Sequence, residues 1–125
     1  MDIAYTVETA FPGSLQSTAE LNWKIEENPN ILELSGELNY LKLVPSYIQW
    51  CIQNKDRYDQ LVTDWTIHAL AEYGRAKSPE SPHLNFKFLC SSEQRWAIRA
   101  FLEWCITSLE VVHEAQVYRA IRHWQ

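Results

Sequence analysis

At 125 residues with a net charge of -5, the chain is the size of one domain, long enough to bury a single core without a metal or disulfides. Apolar residues make up 46% and charged residues 22%, which excludes a disordered chain, and no run of about 18 apolar residues offers a membrane-spanning helix. Seven acids in residues 1–43 face only Lys24 and Lys42, while the rest of the chain is balanced; this acidic third argues against a nucleic-acid partner and suits a basic protein.

The first residues, MDIAYTVETAFPG, lack the basic start and long apolar run of a signal peptide, so a cytoplasmic protein is expected. Ile3, Ala4, Val7, Ala10 and Phe11 space as one face of a short helix that Pro12 and Gly13 end. Ser14 to Ala19 reads as loop, and Glu20 to Glu27 as one or two helical turns stopped at Asn28, Pro29 and Asn30. Ile31 to Leu34 is too short for a period to classify, and Ser35, Leu38 and Leu41 predict a short helix that turns Tyr40 toward a neighbour.

From Val44 the signal strengthens. Val44, Tyr47, Ile48, Cys51 and Ile52 share a helical face, with Pro45 in the first turn, where no amide donor is needed, and Asn54 as the stop. Asp56 caps the next predicted helix after a one-residue connection at Lys55. Its inward face is Tyr58, Leu61, Val62, Trp65, Ala69 and Tyr73, broadened by Ile67 and Leu70, and Gly74 supplies a left-handed C-terminal residue. Arg75 to Cys90, with Pro79 and Pro82, is the longest irregular stretch. Leu84, Phe86, Phe88 and Leu89 dock it on the helices as an ordered wrap, with Phe86 and Phe88 spaced for a brief extended segment.

The clearest helix follows. Ser91 and Gln94 have capping-box spacing, and Ile98, Phe101, Leu102, Cys105, Ile106 and Leu109 form one apolar face. Thr107 and Glu110 repeat the capping spacing, so a break near Ser108 separates this helix from a last one. That one turns either Val111, Ala115, Tyr118, Ile121 and Gln125, or Val117, Ile121 and Trp124, toward the core. The pattern predicts an all-α, single-domain bundle over residues 1–125, with about four main helices, short N-terminal helices and one long ordered loop.

The segments LSGELNYLKLVPSYI (Leu34 to Ile48), SSEQRWAIRAFLEW (Ser91 to Trp104) and AQVYRAIRHW (Ala115 to Trp124), with ETAFPG near the start, carry a resemblance. Over nearly its whole length the chain resembles an uncharacterised family of small bacterial all-helical proteins. His123 departs from the pattern, which has an aromatic before the final Trp. The resemblance implies the fold and supplies no catalytic residues.

Function is read from candidate side chains. Cys51, Cys90 and Cys105 are widely spaced without a CxxC pair, which suggests neither a zinc site nor a disulfide framework. Cys90, beside a helix start that lowers a thiol pKa, is the one cysteine with a case as a nucleophile, with His83 the nearest histidine. Asp64, His68 and Glu72 lie at i, i+4 and i+8, spaced for a metal or for acid and base, against the ordinary reading of a solvated face. Glu110 and His113 make a single E-x-x-H where a di-iron bundle needs two. No phosphate loop, G-x-S-x-G or HExxH occurs, and no cofactor or metal is assigned. The six Trp and six Tyr serve a large-residue core or a protein-binding surface. The leading expectation is a non-catalytic module binding a basic protein partner through Glu26, Glu27, Glu33, Glu37 and Trp23, with His83 and Lys87 of the long loop also candidates. An inhibitor of a toxic protein, of immunity or antitoxin type, is the alternative. A small enzyme or metal protein using His68 and Glu72, or Cys90, is the third.

Overall fold

The computed structural model describes residues 2–13, 25–34, 39–57, 59–81, 83–109 and 113–125. Six α-helices run in chain order as α1 (Ile3–Ala10), α2 (Tyr40–Gln53), α3 (Leu61–Arg75), α4 (Phe86–Leu89), α5 (Ser92–Ser108) and α6 (Glu114–His123), with 3-10 turns at Ile25–Glu27 and Ile31–Glu33 and no strand among the described residues. The predicted all-α architecture is the one observed, with α2, α3, α5 and α6 as its four main helices.

The cap of α5 forms as the spacing predicts: Ser91 Oγ accepts from the Gln94 amide at 3.1 Å, and Gln94 Oε1 accepts from the Ser91 amide at 2.8 Å. The same glutamine reaches out of its helix, its Nε2 donating to the Ala10 carbonyl at the end of α1. Gln49 Nε2 likewise donates to the Ala4 carbonyl, so two buried or half-buried amides tie α1 to α5 and α2. Ile98, Phe101, Leu102 and Cys105 are buried, as their spacing predicts, and Ala97 joins them.

The loop between α3 and α5 is a wrap with Phe86 at its centre. Phe86 is fully buried and meets Phe11 at 6.2 Å, Tyr73 at 5.4 Å and Trp124 at 5.9 Å between ring centroids, and Tyr73 in turn meets Tyr40 at 6.2 Å. Phe86 and Phe88 lie on the helical turn α4, not on an extended segment, and this places them on different sides: Phe86 enters the core while Phe88 and Leu89 stay exposed.

Three boundaries differ from expectation for identifiable reasons. Helix α2 begins at Tyr40, so Pro45 lies inside it; the missing amide removes one ladder bond, and the next turn is reinforced by Ser46 Oγ donating to the Lys42 carbonyl at 2.8 Å. Helix α3 begins at Leu61, not after Asp56. The cap is made from Asp59, whose Oδ1 accepts from the Leu61 amide, and residues 54–60 replace the one-residue connection. Helix α5 ends at Ser108, where the break was expected, but Thr107 lies within it, its hydroxyl donating to the Trp104 carbonyl, and α6 starts after His113. Of the two faces offered for α6, Val117, Ile121 and Trp124 are buried with Ala120, while Ala115, Tyr118 and Gln125 are exposed. Tyr58, Leu38, Glu110 and Val111 lie outside the described residues.

Gly74 has a different reason to be glycine from the one expected. It sits inside α3, buried, and among the described residues the positive-φ glycine is Gly13 (φ 90) after α1. A Cβ on Gly74 would lie 2.7 Å from Nε1 and 2.8 Å from Cδ1 of Trp124, and 2.9 Å from Cβ of His123. The bare backbone lets the end of α6 close onto α3, where Trp124 Nε1 donates to the Leu70 carbonyl at 2.7 Å. Lys87 closes the same corner, its ammonium donating to the Gly74 carbonyl at 3.2 Å and the His123 carbonyl at 2.8 Å. A helix-interior Gly→Ala change ordinarily gains about 1 kcal/mol, whereas overpacking against a fixed ring costs about 1–3 kcal/mol. Gly74→Ala is expected to lose about 2 kcal/mol in urea unfolding; a gain would mean that the indole moves aside freely.

Candidate functional site

The titratable side chains singled out on α3 separate once folded. Asp64 and His68 line a cleft of about 500 Å³ between the first turns of α3 and α6, together with Leu61, Trp65, His113 and Gln116. Glu72, one turn further on, is held between two arginines, with Oε2 2.6 Å from Arg75 and Oε1 3.7 Å from Arg119. It is engaged within the fold, and among the described residues no group of three or more His, Cys, Asp or Glu side chains is placed to hold a metal ion. His113 takes the third place beside Asp64 and His68. Of the expected inward face of α3, Val62, Ile67, Ala69, Leu70 and Tyr73 are buried, joined by Thr63 and Thr66, while Leu61 is exposed and Trp65 half-buried against His68, their rings 5.7 Å apart and nearly perpendicular.

Asp64 is the perturbed group of this cleft. Its Oδ1 is buried with no hydrogen-bond partner among the described residues, and burial raises the carboxyl above its ordinary range, His113 pulling it back and Asp59 pushing it further up. A raised carboxyl pKa means that the folded chain binds the proton more tightly than the unfolded chain, so the stabilising contribution is present at low pH and lost as pH rises through the folded pKa. Asp64→Asn should therefore unfold at higher urea than the native chain at pH 7, with the gap closing as pH falls through the ordinary aspartate range. An equal loss at both pH values would show that the carboxylate is stabilised where it stands.

Cys90 does not gain a reactive thiol from the helix start. It is buried, and that burial pushes its thiol up to about 12 against a smaller downward pull from Arg95; the expected lowering by the start of α5 is outweighed. Cys51 is pushed up to about 11 and Cys105 also upward, both by burial, and all three are free and buried. His83 is exposed. Native-state labelling of all three thiols at pH 7 should run more than about 100-fold slower than free cysteine, with full labelling in urea; rapid labelling at Cys90 alone would restore the nucleophile.

The acidic third is partly consumed by the fold. Glu26 Oε1 lies 2.9 Å from Arg57 and accepts from Trp50 Nε1 at 3.3 Å, with the guanidinium 5.5 Å over the Trp50 ring. Glu27 and Glu33 are exposed, and Trp23 and Glu37 lie outside the described residues. Lys87 is half-buried, its ammonium committed to the carbonyls at the ends of α3 and α6 and its pKa lowered by burial and then by Arg95.

A second concavity lies on the other side of α5. Trp96, Ala100 and Trp104 form a stripe on α5 distinct from its buried face, and with Ile3, Arg99, Glu103, Thr107 and Ser108 they line a groove of about 620 Å³. Trp96 is 54% exposed, and Tyr5, which shares a smaller hollow with Trp96 next to the groove, is 69% exposed. Trp104 stacks on buried Phe101 at 5.9 Å, and Arg99 pairs with Glu103 at 3.2 Å on the rim. Residue 96 is two positions before Ile98 and so about 200° away around the helix; that offset was the available sign that Trp96 belongs to a second face. No family model, curated protein or solved structure matches the chain.

Proposed function

We propose that the chain is a non-catalytic protein-binding module whose main contact surface is the aromatic groove of α5, and that its occupant is an amphipathic helix of a partner protein. The observation that carries this reading is Trp96, more than half exposed, at the junction of two hollows that follow one helical stripe from Glu93 through Trp96, Ala100 and Trp104 to Thr107. Trp, Tyr and Arg are the side chains that most often anchor protein interfaces, and a stripe at i, i+3/i+4, i+7 receives a helix.

Length supports a helical occupant. The 17 residues of α5 span about 25 Å, whereas the eight of α1 span about 12 Å. Ala10 at the end of α1 is bonded to Gln94 near the start of α5, and Ile3 at its beginning lines the groove that runs on to Ser108. The two helices are thus antiparallel, and α1 covers about half of the stripe. A partner helix laid along the groove would set its apolar side chains against Trp96, Ala100 and Trp104 and its polar edge near the Arg99–Glu103 pair. The exposed Glu27 and Glu33 lie away from this stripe in sequence and enter the reading only as charges that could steer a basic partner.

A photo-crosslinking residue at Thr107, compared with one at Tyr118 on α6, tests the surface in native lysate. The expected result is a discrete adduct from position 107 alone, mapping to an amphipathic helix, with Trp96→Ala weakening formation at least about tenfold, the size of an anchor loss near 2 kcal/mol. Equal adducts from both positions, or an adduct that survives Trp96→Ala, would contradict the assignment.

A further inference from the structure

The cleft between α3 and α6 is separate from the groove of α5, and its chemistry differs. Its volume of about 500 Å³ is within the range of small-molecule sites, about 300–1,000 Å³. Trp65 and Leu61 give it apolar walls. Among the described residues Asp64 is its one acidic side chain, and no lysine or arginine lines it. The groups that act on Asp64 are His113, which favours the charged carboxylate, and Asp59, which opposes it. Oδ1 is buried without a partner among the described residues, so this carboxylate is part-desolvated and poorly compensated.

We propose that this cleft binds a small aromatic amine, with its protonated nitrogen beside the Asp64 carboxylate and its ring against Trp65 and Leu61. A cation in the cleft adds to the partial compensation that His113 gives the Asp64 carboxylate. The indole of Trp65 adds to the preference, since an aromatic face attracts a cation and packs well against a second ring. His68 stands edge-on to that indole and fixes one wall, and Gln116 offers an amide that can donate or accept opposite it. The features that would favour an anion are the two imidazoles and the start of α6, of which His113 is the cap residue; Asp64, Asp59 and Glu114 in the first turn of α6 are set against them. Asp64 decides between them, because its Oδ1 is buried at the cleft wall without a hydrogen-bond partner among the described residues. The site requires no partner protein, so it stands whether or not the α5 groove is occupied.

Three probes that share an indole ring and differ in charge separate these possibilities: tryptamine as cation, 3-ethylindole as neutral isostere and indole-3-propionate as anion, each titrated into the full chain by ¹H–¹⁵N NMR. Tryptamine should shift Asp64, the Trp65 indole and Gln116 with a millimolar or tighter Kd, at least about tenfold below that of 3-ethylindole, and the anion should bind most weakly. Asp64→Asn should bring tryptamine and 3-ethylindole to similar affinity. Gln116→Trp, which fills the cleft from its half-buried rim, should abolish binding of all three, and it keeps the test available should the Asp64 variant not fold. Tight binding of the anion, a tryptamine preference that survives Asp64→Asn, or no shift of lining residues at millimolar tryptamine would overturn the proposal.

Discussion

The contact of Trp124 with the bare backbone at Gly74 holds the arrangement together. In a helix the side chain at i+4 covers the carbonyl at i, so glycine at 74 leaves the Leu70 carbonyl open to a donor from outside α3, and the Trp124 indole takes it. The rest of the corner follows from that approach. Phe86 packs edge-on against the same indole and carries the aromatic contacts to Phe11 and Tyr73, and Lys87, next in the chain, reaches the carbonyls of Gly74 and His123. A lysine shared between two helix C-termini meets the negative ends of both macrodipoles. Residues from α3, α4 and α6, with Phe11 after α1, are therefore fixed around one hydrogen bond.

The cleft between α3 and α6 depends on how this corner sets the two helices. The cleft at the starts of α3 and α6 lies at the opposite end of the helix pair that Trp124 and Gly74 clamp, so the angle fixed at one end sets the opening at the other. There Asp64 keeps a carboxyl at a position where burial disfavours its charge. Helix α5 has its apolar face filled by the core, and its second stripe is half-covered by α1. A short α1 beside a long α5 is what leaves Trp96 and Trp104 in a groove instead of in the interior.

Much of the fold was legible from local physics. The Ser91 and Gln94 cap, the apolar face of α5, the stop at Asn54 and the docking of the long loop through Phe86 all rest on nearest-turn rules, and they form as those rules direct. The failures share a cause in tertiary context. An isolated helix favours Pro45 in its first turn, yet packing of Leu43, Val44 and Tyr47 carries α2 through it. Gly74 near a helix end looked like a left-handed stop because nothing in the sequence announces an indole arriving from 50 residues away. Period alone turns Trp65 toward the core, while in the fold Thr63 and Thr66 are buried and Trp65 only half-buried. The candidate sites were less legible still. Spacing brought Asp64 and His68 to one face correctly, but the third member, His113, comes from α6, and Glu72 is withdrawn by Arg75 and by Arg119 from across the helix pair. The exposed stripe on α5 could be traced on a helical wheel, although which of two apolar stripes faces water depends on the length of α1.

Hydrogen exchange at the six indole N–H groups reads the central contact directly. If Trp124 and the Leu70 carbonyl hold α6 on α3 as described, the Trp124 Nε1 proton should exchange only through global unfolding, with a urea dependence equal to that of the most protected core amides, while the Trp96 proton exchanges at the rate of free indole. A Trp124 proton that exchanges as fast as that of Trp96 would mean that the clamp is open in the native state, and the account of the corner and of the cleft it sets would fail.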